Sequence, residues 1–132
     1  MKVKDIMYMG DRNPVVSAED CFRDIIEVMN EKGLGAVNVV ADGKLIGLVT
    51  DGDVRRLILK TQLSLPNLFL VDASKVMTKD PKSLSSEASL EEALEVLERH
   101  EFWVLPVVDE DKKLLGIVHL QALLKAMIPP DR

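Results

Sequence analysis

The stretch LIGLVTDGDV at residues 45–54 returns, in altered form, as LLGIVHLQAL at residues 114–123. Each begins with apolar residues interrupted by one glycine, Gly47 or Gly116. Each then reaches a polar step, Thr50 or His119, just ahead of a helical pattern. Finding the same strand-to-helix passage in both halves of one chain marks an internal repeat. A repeat constrains the fold more than any local signal.

Working outward from the glycines, the two copies stay in step. Upstream lie Ala36-Val37-Asn38-Val39-Val40 and Val104-Leu105-Pro106-Val107-Val108, short and rich in β-branched residues, which predict strands. Polar turns join them to the glycine strands: Ala41-Asp42-Gly43-Lys44 in one copy, Asp109-Glu110-Asp111-Lys112 in the other. Further upstream, Phe22, Ile25, Ile26 and Met29 recur at i, i+3, i+4 and i+7, as do Leu90, Ala93, Leu94 and Leu97. That spacing places one apolar stripe on a helix. Ser89 and Glu92 have the spacing of a capping box at the start of the second of these helices. Gly33 is placed to stop the first, because glycine tolerates the left-handed conformation. A short extended segment follows Pro14 or Pro81, and before it stands Val3-Lys4-Asp5-Ile6-Met7 or Ala73-Ser74-Lys75-Val76-Met77. A last helix closes each copy, through Val54, Leu57 and Ile58 or through Leu120, Leu123, Leu124 and Met127.

Each copy therefore reads strand, helix, strand, strand, helix, which makes the fold class α+β. Residues 1–61 form the first copy, 62–72 a linker and 73–132 the second. The wider stretch Lys60 to Asp72 has no counterpart in either copy. Its Leu63–Val71 portion contains Ser64, Pro66 and Asn67 and reads as a linker that packs. A domain of about 60 residues buries only about 60% of the surface its unfolded chain exposes. Two copies packed together would complete one core.

Composition excludes several function classes. Apolar residues make up 47% of the 132 residues and charged residues 30%, ordinary for a chain with a proper core. The net charge of −5 argues against nucleic acid, since no basic excess is available to displace counterions from a phosphate backbone. The single cysteine, Cys21, allows no internal disulfide and fits a reducing compartment. No apolar run has the roughly 20 residues needed to cross a bilayer, and the N-terminus has no signal-peptide core. A soluble cytoplasmic chain is expected.

The charged cluster Thr50-Asp51-Gly52-Asp53-Val54-Arg55-Arg56 carries the chemical interest. A calcium loop would need a closing glutamate at its twelfth position, where counting from Asp51 finds Gln62. No nucleophile, base and orienter gather nearby. No metal and no catalytic residue is therefore expected, and no cofactor is required. Two readings remain. In the first, Thr50 and Asp53 form a capping box, and Asp51 pairs with Arg55 four residues on. In the second, the helix start receives an anion. Arg55 and Arg56 oppose the helix dipole there unless an anionic ligand reverses the sign. Asp53 would accept from a ribose or sugar diol, as acids do in other nucleotide folds. The two readings can coexist, with Thr50 capping through one lone pair and donating its O–H to a phosphate.

The duplicated βαββα pattern, led by "DIM" and "KVM" and holding a glycine strand before its last helix, resembles a tandem pair of CBS domains, or Bateman module. The resemblance implies two repeats packed with pseudo-twofold symmetry. Gly47-Leu48-Val49-Thr50-Asp51-Gly52-Asp53 matches the nucleotide-contacting pattern of that family. More narrowly, "VKDIMYMGDRNPVV", "GLVTDGDVRR" and "GIVHLQALLKA" together resemble the C-terminal region of D-arabinose-5-phosphate isomerases (the KpsF, KdsD and GutQ group). In that group the chemistry lies in an N-terminal sugar-isomerase (SIS) domain, for which 132 residues leave no room.

The resemblance thus implies a regulatory, non-catalytic chain. It would bind a nucleotide or nucleotide-sugar, such as CMP-Kdo or an adenine nucleotide, through Thr50, Asp51, Gly52, Asp53, Arg55 and Arg56. Val15, Val16, Ala36 and Val37 would form the apolar wall of the cleft. In the second copy His119 faces Thr50, while Ala122 replaces Asp53, so the ribose acid is lost there. His119 either contacts a phosphate or carboxylate when protonated or is a helix-start residue satisfied by backbone. Partners implied are the SIS domain of the parent chain and a second copy in a homodimer. The rivals are a purely structural dimerisation module that binds nothing, and a CBS pair cut from another sugar-nucleotide enzyme. Trp103, at the place of Gly35, could stack on a base or belong to core or dimer surface. Cys21 is a passive small residue or a thiol of lowered pKa.

Overall fold

The computed structural model describes residues 1–129, so positions 130–132 of the second copy lie outside the described residues. The chain forms two compact units, and these are cut differently from the repeats. One unit is Pro14–Pro81. The other joins Met1–Asn13 to the chain from Lys82 onward. The leading segment of each copy therefore packs on the body of the other.

In the unit Pro14–Pro81, strand β1 (Val15–Ser17) precedes helix α1 (Phe22–Lys32), then β2 (Ala36–Ala41), β3 (Lys44–Thr50) and helix α2 (Asp51–Lys60). Two short helices follow, α3 (Leu65–Leu68) and α4 (Ala73–Val76), and then strand β4 (Thr78–Lys79). The sheet order is β1-β2-β3-β4, with β1 parallel to β2 and the other pairs antiparallel. Its core gathers Val16, Phe22, Ile25, Val37, Val39, Val49, Leu68 and Ala73. Helix α1 ends at Gly33 with φ 69°, the left-handed stop expected of that glycine. Helix α2 presses Val54 and Leu57 onto the core, whereas Ile58, expected on the same stripe, is half exposed.

The joining segment is part of this unit rather than a tether. Leu68 is buried, and the Phe69 ring stacks on Phe22 at 6.2 Å between centroids. The backbone N–H groups of Phe22 and Arg23 donate to the carbonyls of Val71 and Phe69. Pro66 in the first turn of α3 is tolerated because the N–H it lacks has no helical acceptor there.

The other unit repeats the pattern: β5 (Leu84–Ser85), α5 (Leu90–His100), β6 (Val104–Val108), β7 (Leu114–His119) and α6 (Leu120–Met127), with sheet order β5-β6-β7. The capping box at α5 is formed, with Glu92 N donating to Ser89 Oγ at 3.0 Å and Ser89 N to Glu92 Oε1 at 3.3 Å. Leu90, Ala93, Leu97, Leu105, Val107, Val118 and Leu123 make the core, and Val3 of the leading segment is fully buried among them. That segment is held by Val3 N to Ala88 O, Lys4 N to Ser86 O, and a two-way exchange between Tyr8 and Ile117. Both copies thus realise the βαββα order of an α+β fold.

The glycine strands explain how the leading segments dock. A β-carbon on Gly47 would collide with the Met77 side chain, standing 2.6 Å from its Cγ. A β-carbon on Gly116 would stand 2.6 Å from the Tyr8 carbonyl oxygen and 3.0 Å from Met7 Sδ. Each glycine leaves room for the methionine that ends "DIM" or "KVM".

Candidate functional site

The segment from Thr50 to Arg56 is the passage from β3 into α2. Ala36, the first residue of β2, is the Cα partner of Thr50, the last residue of β3. The Asp51 amide donates to the Gly35 carbonyl at 3.0 Å. The Asp51 carboxylate lies over Gly35, where a β-carbon would meet Oδ2 at 2.9 Å. Gly35 itself has φ 73°, so the position suits glycine on both counts.

The capping box is complete. Asp53 N donates to Thr50 Oγ1 at 3.3 Å, and Thr50 N donates to Asp53 Oδ2 at 2.9 Å. Thr50 Oγ1 lies 3.1 Å from the same Oδ2, so its O–H turns to the carboxylate next door rather than outward to a phosphate. The physical reason is strength: an ionised carboxylate is a better acceptor than water, and the cap already holds the two groups together. Asp53 Oδ1 accepts from Arg56 Nη2 at 2.7 Å. The expected Asp51–Arg55 pair does not form; the i, i+3 pair Asp53–Arg56 replaces it. Asp51 is drawn towards Gly35, and Arg55 has no ion-pair partner among the described residues. Of the first three amides of α2, those of Asp51 and Asp53 are taken, and Gly52 N–H has no acceptor among the described residues.

The other expected residues fall in three environments. Val15 is 37% exposed, on the edge strand of its sheet. Val16 and Val37 are members of the core, and Ala36 is fully buried. His119 belongs to the other unit, where it caps α6 and its Nδ1 accepts from Gln121 N at 3.1 Å. Burial lowers its pKa below the ordinary 6.5, so the ring is neutral, with its proton assigned to Nε2. This is the backbone-satisfied arrangement. Leu120 N donates to Trp103 O at 2.8 Å, the counterpart of Asp51 N to Gly35 O, and the Trp103 side chain is 66% exposed. Cys21 caps α1, its Sγ 3.3 Å from Asp24 Oδ2. The Cys21 backbone N–H, which donates to the same oxygen, is the main reason the Asp24 carboxyl sits below its usual range.

Arg56 as the partner of Asp53 is the feature that sequence reasoning missed. Its only trace was the i, i+3 spacing, which competed with the i, i+4 spacing of Asp51 and Arg55. Among the described residues no group of three or more His, Cys, Asp or Glu is placed to hold a metal ion. None of their helices is long and apolar enough to cross a membrane. A shallow cavity of about 460 Å³ runs along one face of α5, between Glu91 and Arg99, and contains none of the expected site residues.

Comparison with known proteins adds three findings. The family model described as the CBS domain matches residues 3–60 and again 73–129. An arabinose 5-phosphate isomerase KdsD of Francisella tularensis is 38% identical over 125 residues, 95% of this chain and 37% of that protein. The Pseudomonas aeruginosa protein of the same name is 33% identical over 127 residues, 96% of this chain and 38% of that one. The chain thus spans little more than a third of the length of these curated relatives. Among solved structures, CBSX2 in complex with AMP superposes with a TM-score of 0.82 at 29% identity, covering 95% of this chain and 94% of that one. CBSX2 is a CBS-pair protein of Arabidopsis thaliana.

Proposed function

The chain belongs to the CBS-domain family, with two copies in tandem, and on that premise we propose that it is the regulatory ligand-binding pair of a D-arabinose-5-phosphate isomerase. Its ligand is a nucleotide or nucleotide-sugar held at the start of α2. Binding there is passed to the SIS isomerase domain of the parent chain, a step in Kdo supply for lipopolysaccharide or capsule. The identity with KdsD proteins along 95% of the chain supports this parentage. The AMP bound by CBSX2 supports the ligand class.

The observation that carries the reading is the Thr50–Arg56 passage. It sets an acid with an acceptor position to spare, an open Gly52 amide and two arginines within the first turns of one helix. Asp53 accepts from the ribose diol. The Gly52 amide and the arginines take the phosphate, with the helix dipole in support. Val15 lines the apolar side. His119 offers Nε2–H as a neutral donor at the second copy, where Ala122 leaves no acid for a ribose. An end product such as CMP-Kdo would supply ribose, phosphate and carboxylate together; adenine nucleotides are the other candidates.

A structural reading has its own support. Ile58, Leu59, Leu63, Leu65 and Leu70 are exposed along one stretch of chain, as a homodimer surface would be. Thermal shift with CMP-Kdo, CMP, AMP, ADP and ATP separates the two readings. A ligand at 100 times its Kd stabilises the protein by about 2.7 kcal/mol. Asp53→Ala removes a charge-assisted hydrogen bond of roughly 1.5–3 kcal/mol and weakens binding about ten- to a hundredfold. No shift with any of the five at millimolar concentration overturns the ligand reading and leaves the dimerisation module.

A further inference from the structure

The ion pair between Asp53 and Arg56 bears on which ligands the site accepts. An ionised carboxylate offers about four acceptor positions. Asp53 Oδ2 uses two of them, on Thr50 N at 2.9 Å and Thr50 Oγ1 at 3.1 Å. Oδ1 uses a third on Arg56 Nη2 at 2.7 Å. One position remains, whereas a cis-diol brings two O–H donors. A diol that engages the carboxylate with both hydroxyls must therefore displace one of these three donors. Thr50 N and Oγ1 belong to the cap on Oδ2, which leaves the exposed guanidinium on Oδ1 as the one to go.

The guanidinium has room beside the helix start because Gly52 carries no side chain. It lies against Gly52, where a β-carbon would stand 3.2 Å from Nη1 and 3.4 Å from Nη2. The Asp53 side chain is 20% exposed and that of Arg56 55% exposed, so the acid is the sheltered partner and the arginine is the one free to move. An arginine released from its carboxylate loses an ion pair, which only another anion restores. A ligand phosphate is such an anion; an uncharged nucleoside carries none.

We propose that Arg56 is a specificity-determining residue. It competes with the ribose diol for Asp53 Oδ1 and transfers to the ligand phosphate when the diol binds, which selects nucleotides over nucleosides. This rests on the reading of Asp53 as the ribose acid.

Calorimetric titration of the 132-residue chain with AMP and adenosine, and with CMP and cytidine, tests it in the Arg56→Ala variant. Nucleoside affinity rises about two- to fivefold, the worth of a partly exposed ion pair. Nucleotide affinity falls about tenfold or more as the phosphate loses its guanidinium. Gly52→Ala, which crowds the guanidinium, also raises nucleoside affinity. Equal loss of both affinities in Arg56→Ala, or no change in either, overturns the proposal while leaving Asp53 as the ribose acid. Asp53→Asn keeps an acceptor for the cap and so keeps the fold. Weakened binding of all four compounds by that variant supports the underlying site. Unchanged binding of all four, or none binding to the unaltered chain, overturns the site and the selectivity together.

Discussion

The Met77 side chain fills the space that a β-carbon on Gly47 would need. The relationship has a twin at Gly116, where the neighbours are Met7 and the Tyr8 carbonyl oxygen. These contacts tie each leading segment to the opposite glycine strand. Alanine at either glycine forces overpacking worth about 1–3 kcal/mol. The two sites differ in how they can yield. Methionine is flexible and can repack, whereas the Tyr8 carbonyl is fixed by its exchange with Ile117. Urea unfolding should therefore find Gly116→Ala the more destabilised. Adding Met77→Ala to Gly47→Ala should give a double variant more stable than the summed single losses. A strictly additive pair would show that the contact does not carry the docking.

The cap of α2 yields a second prediction, which links stability to binding. Thr50→Ala removes an N-cap and destabilises by about 1 kcal/mol. Thr50→Ser keeps the hydroxyl and should be close to neutral. In the structure the Thr50 hydroxyl is committed to Asp53. Thermal melts should thus rank Ser above Ala, and AMP affinity measured at a temperature where both are folded should follow the same order through the placement of Asp53. Equal stability of the two variants would refute the cap.

The order of elements was legible because both copies carry the same apolar stripe and the same glycine strand, so each copy checks the other. The destination of the leading segments was not. Val3 to Met7 has no periodicity of its own, and only tertiary contacts, among them those of Met7 with Gly116 and of Val3 with Ala88, show that it serves the later copy. Helix α3 was not legible: Ser64, Pro66 and Asn67 read as linker residues, and four residues are too few for a stripe. At the site, the Thr50–Asp53 box followed from spacing alone. The pairing of Asp53 with Arg56 did not, because on spacing alone Asp51 and Arg55 competed with it, and that Asp51 instead lies over Gly35, a neighbour 16 positions away in sequence, is a tertiary fact. The burial of Val16, Ala36 and Val37 likewise follows from the sheet they sit in rather than from their residue types.

A third prediction concerns Glu87, which accepts from Lys2 Nζ at 2.7 Å and Lys4 Nζ at 2.9 Å and so clips the leading segment to its unit. The bonds from Lys2 and then Lys4 hold its carboxyl at about 2, below the ordinary 4.5. A depressed carboxyl stabilises the fold above its unfolded pKa, and the contribution is lost as pH falls from 4.5 towards about 2. The side chain is exposed, so salt screens much of the attraction. The expected readout is a carboxyl resonance titrating low at low ionic strength and moving up towards the ordinary value with added salt. Lys2→Ala should raise it further than Lys4→Ala. A Glu87 that titrates at 4.5 in the unaltered protein would remove the clip.

The last prediction turns on His119, whose Nδ1 holds the Gln121 amide at the start of α6. Accepting that bond requires an unprotonated Nδ1, and burial disfavours the charged ring, lowering its pKa from 6.5. The unfolded chain takes up the proton first as pH drops. The stabilising contribution is therefore complete above pH 6.5 and lost as pH falls through the lowered value of the folded state. His119→Asn preserves a side-chain acceptor for the cap and removes the titration. Its stability should run flatter with pH across the mildly acidic range than that of the unaltered chain, while matching it near neutrality. A proton titration of the His119 ring should return a value below that of an exposed histidine. A raised value would mean that the charged ring is the stabilised form, and with it the neutral cap and the neutral Nε2–H donor would both fall.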